Sequence, residues 1–181
     1  MSIRTNIAYE ERETIRSSEF EPKFAEEVKK HPGGEKLSQC FQCGACAGSC
    51  PVGKITGSYN PRKILRMTML GLRREVLSSD SIWLCALCYT CQERCSQGVE
   101  IADIMLALRN LAVSEGYAPK ALVEQAISLI ENGRLAAIVG STDRLRSKLG
   151  LPKISTSSKD IIKKIVVTTG FDKLIEKMRG N

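Results

Sequence analysis

The residues of this 181-residue chain that could do chemistry are eight cysteines, gathered in two short phrases. The first is Cys40-Phe-Gln-Cys43-Gly-Ala-Cys46-Ala-Gly-Ser-Cys50-Pro51, and the second is Cys85-Ala-Leu-Cys88-Tyr-Thr-Cys91-Gln-Glu-Arg-Cys95. Both read C-x2-C-x2-C-x3-C, and no cysteine lies outside them. That spacing is the ligand run of a [4Fe–4S] cluster, and where two runs share a chain the fourth cysteine of each serves the other cluster. Three thiolates at steps of three wrap one cube within a tight loop, and the fourth points away as the chain leaves it. The expected ligand sets are therefore crossed. Cys40, Cys43, Cys46 and Cys95 hold one cluster, and Cys85, Cys88, Cys91 and Cys50 hold the other.

Two other uses of cysteine fit less well. Structural zinc sites pair a C-x2-4-C with a distant second pair, rather than four close cysteines in one run. Disulfides need an oxidising compartment. Met1-Ser-Ile-Arg-Thr opens into charged sequence with no apolar signal core, so a cytoplasmic location is expected. Eight cysteines in 181 residues is also below the density of a disulfide scaffold.

Charge bounds the partners. The formal net charge is +7, and residues 134–181 hold all of it, with 11 Lys/Arg against 4 Asp/Glu. Residues 1–133 carry 16 of each sign. Cluster ligands are thiolates, so a loaded protein would be a negative cluster region followed by a basic tail. Nucleic-acid binders show a basic stripe on a recognisable module, and none is present. No apolar run is long enough to span a membrane.

The elements that must position the cysteines read as mainly α. Residues 1–17 are a polar arm. Ser18-Glu-Phe-Glu21 resembles a capping box, Phe24 and Val28 share a helix face, and His31-Pro32-Gly33-Gly34 stops that helix. His31, the single histidine, reads as an exposed terminal residue. Gly44, Ala45, Ala47 and Gly48 are small where backbone must approach a cube. Asn60-Pro61 is a cap followed by a proline in the first helical position, opening a helix through Ile64, Leu65 and Thr68 to Gly71. Met67 and Met69 read as core filling. Leu72–Leu77 is a second short helix, and Ser78–Ser81 caps the approach to Ile82-Trp83-Leu84. Trp83 either shields the second cluster or fills core. Ser96 stands where the first phrase has Pro51.

After the second phrase, Glu100 opens a helix with Ile101, Ile104, Met105, Leu108, Leu111 and Ala112 on one face, ended by Gly116. Ala118-Pro119 opens another, with Leu122, Ala126, Leu129 and Ile130 apolar, ended by Asn132-Gly133. Leu135–Val139 is either strand or helix. Ser141-Thr-Asp143 caps a short helix to Gly150, residues 152–158 are loop, and Lys159–Val167 and Phe171–Arg179 are amphipathic helices with lysine-rich faces. Those faces are either solvated or a docking surface. Three regions result: 1–35 as arm and helix, 36–115 around the cysteines, and 116–181 as a helical, basic extension.

Two cysteine phrases joined by a helical segment resemble the α-helical ferredoxin domain, which carries two [4Fe–4S] clusters. Cys40–Pro51, Asn60-Pro-Arg-Lys-Ile-Leu-Arg66 and Ile82–Cys95 are similar to the C subunits of the soluble heterodisulfide reductases of methanogenic archaea. Succinate-type iron–sulfur subunits fit less well, because they place a [2Fe–2S] domain first and the 39 residues before Cys40 hold no cysteine. The resemblance implies a subunit that relays electrons from a flavin-containing A subunit to a B subunit that reduces the CoM-S-S-CoB heterodisulfide. A hydrogenase or formate dehydrogenase would be an indirect donor. Independently, no residue reads as catalytic: every cysteine is committed to clusters and there is no nucleotide-binding glycine fingerprint. The alternatives are the iron–sulfur subunit of a glycerol-3-phosphate or lactate dehydrogenase, and a structural metal scaffold binding nucleic acid through residues 134–181.

Overall fold

The computed structural model describes residues 15–136, 138–154 and 159–179, and among them there is helix and turn but no strand. The expected arm therefore lies almost wholly outside the described residues, as do residues 155–158 of the expected loop.

Helix α1 (Lys23–Lys30) buries Phe24 and Val28, the face its sequence marks out. Its start differs from the capping-box reading. Ser17–Glu19 forms a 3-10 turn, and Pro22 occupies the cap position of α1 with no side-chain bond. Proline fixes φ for helix entry, so the helix starts after it rather than at Ser18. At the other end His31 is extended and half-buried rather than exposed.

Helices α2 (Ala45–Ser49) and α3 (Pro51–Ile55) follow the first phrase. Helix α4 (Pro61–Met69) begins as its sequence dictates, with Asn60 Oδ1 accepting from the Lys63 amide at 3.0 Å and Pro61 in the first turn. It buries Ile64, Leu65 and Thr68, and the Thr68 hydroxyl is satisfied by the Ile64 carbonyl at 2.9 Å. Met67 and Met69 pack against the core. Gly71 then turns with φ +81°. Helix α5 (Arg73–Leu77) buries Val76 and Leu77. Ser79 caps the 3-10 turn Asp80–Leu84 by accepting from the Ser81 amide at 3.1 Å. The short α6 (Thr90–Glu93) lies inside the second phrase.

Helix α7 (Ile101–Glu115) is the axis of the fold and packs against α1, α5, α6 and the Asp80–Leu84 turn. All six residues of its expected apolar face are buried, and Ala102 and Ala107 join them because neighbours cover both sides. Fully burying each large side chain contributes roughly 1.5–3 kcal/mol. Gly116 ends the helix at φ +90°.

Helices α8 (Lys120–Asn132), α9 (Gly140–Lys148), α10 (Lys159–Thr169) and α11 (Phe171–Arg179) form the extension. Helix α8 packs against α10 and α11, yet none of its side chains is fully buried. Leu135 and Ala136 lie in a bend and Ile138 and Val139 in irregular chain, so the described part of 135–139 is neither strand nor helix. Helix α9 starts at Gly140, capped by Val139, just before the expected serine–threonine cap.

Candidate iron–sulfur centres

The fold brings the eight cysteines together as two groups of four. Cys40, Cys43, Cys46 and Cys95 line one depression of about 330 Å³, open to solvent at one side. Cys50, Cys85, Cys88 and Cys91 line a second of about 300 Å³. Each group thus takes three cysteines from one phrase and the last from the other. This follows from α2 packing on α6, which puts the two phrases back to back. The first turn of α7 stands at both sites: Ile101 lines one depression and Ala102 the other. The positive end of that helix favours negative groups at either place.

The two phrases share one backbone path. Gln42 and Gly44, on either side of Cys43, have φ of +65° and +89°. Leu87 and Tyr89, on either side of Cys88, have φ of +50° and +61°. A left-handed Leu or Tyr costs on the order of 1 kcal/mol or more and persists where surroundings enforce it. The consequence is that Cys43 and Cys88 are the exposed cysteine of each set while Cys46 and Cys91 are buried. Gly44 meets the left-handed need expected of a small residue. A side chain at Gly48 would meet no protein atom, so protein packing does not require that glycine.

Sulfur-directed donors are present at both sites. The Val99 amide lies 3.3 Å from Cys95 Sγ, and Gln42 Nε2 lies 3.3 Å from Cys40 Sγ. At the other site the Gly53 amide lies 3.4 Å from Cys50 Sγ, while Cys88 Sγ itself donates to Thr90 Oγ1 at 3.5 Å. Burial, reinforced by neighbouring cysteines, pushes the Cys46 thiol up, and burial with Cys85 and Cys46 nearby pushes Cys91 up to about 11. The Thr90 hydroxyl brings the exposed Cys88 thiol down. Buried thiols of this kind ionise when a metal supplies the compensating positive charge. Among the described residues no three His, Cys, Asp or Glu side chains close on a single-ion point. Four cysteines line each depression instead. Together with the amide donors, four cysteines about one space fit a compact, sulfur-ligated cluster at each site.

Three residues outside the phrases matter here, and spacing gave no sign of them. Tyr59 is buried and lines the second depression beside Cys85; burial first, then the neighbouring Cys85, holds its phenol far above the ordinary range. Arg109, on α7, donates from Nε to the Ile82 carbonyl at 2.9 Å, and from Nη2 to those of Trp83 at 3.1 Å and Cys85 at 2.6 Å. Trp83 does not line the depression. It packs on the core beneath that guanidinium, which lies 5.6 Å from its ring centre. Asp103 takes the Tyr89 hydroxyl and the Gln92 amide.

Comparison with known proteins agrees with this geometry. Residues 36–99 match the 4Fe-4S dicluster domain. The chain is 36% identical over 171 residues to the C subunit of the H(2):CoB-CoM heterodisulfide,ferredoxin reductase of Methanothermobacter thermautotrophicus, covering 91% of each chain. It is 39% identical over 174 residues to the iron-sulfur C subunit of the CoB--CoM heterodisulfide reductase of Methanopyrus kandleri, covering 89% of this chain and 90% of that one. It is 39% identical over 153 residues to the C subunit of the Ferredoxin:CoB-CoM heterodisulfide reductase of Methanosarcina mazei, covering 81% and 93%. With two four-cysteine sites on an all-helical frame and relatives matched along most of their length, the chain belongs to the family of heterodisulfide reductase C subunits, iron–sulfur proteins that carry electrons.

Proposed function

We propose that this chain is a non-catalytic electron-relay subunit holding two [4Fe–4S] clusters, one by Cys40, Cys43, Cys46 and Cys95 and the other by Cys85, Cys88, Cys91 and Cys50. The observation that carries the reading is the mixing of the two phrases at each depression, three cysteines from one and the fourth from the other. When bound, the clusters supply one-electron chemistry, and the protein supplies position, sulfur-directed hydrogen bonds and burial. Residues 36–115 form the ligand-bearing unit, buttressed by α1 from within 1–35, and 116–181 is a helical, basic extension.

The donor is a flavin-containing A subunit, and the acceptor is a B subunit that reduces the CoM-S-S-CoB heterodisulfide in the cytoplasm. The names of the relatives support this by placing them in reductases of that heterodisulfide. Among the described residues no helix is long and apolar enough to cross a membrane. The test is anaerobic purification with iron, acid-labile sulfide and EPR of the reduced protein, and identification of the co-purifying subunits. Near eight iron and eight sulfide per chain is expected for two four-iron clusters, as roughly four of each per cluster. Zinc without sulfide would end the reading, and a flavoprotein dehydrogenase as sole partner would redirect it.

A further inference from the structure

The two sites are built alike in backbone but not in charge. At the second, a partly buried arginine holds the chain as it enters the phrase. Arg109 makes three bonds to the carbonyls of Ile82, Trp83 and Cys85, the last belonging to a proposed ligand. Among the described residues it makes no ion pair, and the Asp103 carboxylate at the same phrase is engaged by Tyr89 and Gln92 instead. The first site has a cation at its rim too, Arg62, but that side chain is exposed and solvent screens it. The buried Tyr59 lines the second site beside Cys85.

We propose that Arg109 is a positioning residue for the second site: it fixes the segment that delivers Cys85, and its charge makes that cluster the higher-potential member of the pair, and so the electron acceptor of the two. Reduction adds a negative charge to a cluster, and a nearby fixed positive charge or an added sulfur hydrogen bond stabilises the reduced form. The transfer is a one-electron exchange. The first site is oxidised by one electron and the second reduced by one, with no bond broken and no proton moved. Donor and acceptor beyond the chain are those of the proposed function, on which this inference rests.

The experiment is an EPR-monitored redox titration of the anaerobically purified full chain. Cys43→Ser and Cys88→Ser assign each signal to its phrase. The parent is expected to reduce the second-phrase cluster first. Arg109→Gln should lower the reduced-to-oxidised ratio of that cluster about tenfold at fixed potential, about 59 mV for one electron, leaving the other unchanged. Arg109→Lys keeps the charge but loses the planar fork. Its shift should be smaller, with faster loss of second-site iron to a chelator. A parent that reduces the first-phrase cluster first overturns the proposal. So does an Arg109→Gln variant, fully loaded, that shifts both signals equally or neither. Should Arg109→Gln not load its second site, Arg109→Lys decides: iron loss at the parent's rate overturns the proposal. Lack of acid-labile sulfide in the parent would instead remove the cluster reading itself.

Discussion

The Tyr89 hydroxyl donates to Asp103 Oδ1 at 3.2 Å, tying a left-handed tyrosine of the second phrase to the first turn of α7. Gln92 Nε2 donates to the other oxygen of the same carboxylate at 3.1 Å. One α7 side chain therefore holds two points of the loop that carries Cys88 and Cys91. Asp103→Ala should cost about 1–3 kcal/mol through two lost charge-assisted bonds. Thermal unfolding would show the loss, and a chelator should strip second-site iron faster than in the parent. Equal stripping at both sites would show that the tie is not local.

Asp103 also sets the path of the turn after α1. A Cβ at Gly33, which has φ +85°, would lie 2.5 Å from Asp103 Cβ. Both the space and the left-handed backbone exclude a side chain. Gly33→Ala should destabilise the protein by about 1–3 kcal/mol, read as a lower unfolding midpoint.

Arg73 joins α1, α5 and α7. It bonds to Glu27 and Glu115 and lies 5.2 Å over the Phe24 ring. Arg73→Ala should cost about 2–4 kcal/mol, because two carboxylates lose their partner. The bond from Arg73 holds the Glu27 carboxyl below its ordinary value of 4.5. A depressed acid stabilises the fold above its unfolded value, and that contribution is lost as pH falls through the lower folded value. The gap in unfolding midpoint between parent and Arg73→Ala should thus be full at pH 7 and narrow below about 4.5. A gap independent of pH would assign the effect to packing alone.

The crossed ligation makes a prediction that an uncrossed one reverses. Cys95→Ala should damage the cluster of the first phrase, and Cys50→Ala that of the second. EPR signals assigned by Cys43→Ser and Cys88→Ser would show which is lost.

Lys163, Lys164 and Lys173 are exposed on α10 and α11, within the basic extension. Changing all three to glutamate should weaken assembly with partner subunits, by about 0.5–1 kcal/mol per residue at low salt, with the loss shrinking as salt rises. Assembly unchanged at moderate salt would make these faces merely solvated.

The features legible in the bare chain are local ones. Ligand spacing fixes the cofactor class, because three cysteines three residues apart reach one cube without help from distant chain. Asn60-Pro61 starts α4, and Gly71, Gly116 and Gly133 end helices, because cap bonds and left-handed turns are settled within a few residues. The twin phrases also lead to the expected crossing of Cys50 and Cys95, and the two depressions are lined in that manner. Long-range packing sets what depends on distant neighbours. Arg109 reaches Cys85 across 24 residues, Lys36 meets Glu100 across 64, and Tyr59 comes to the second site from the connecting segment. No local pattern encodes such pairs, since they arise only when α7 is laid through the core. The left-handed backbone of Leu87 and Tyr89 is of the same kind. Their side chains disfavour it, and Tyr89 is tied to distant Asp103 on α7.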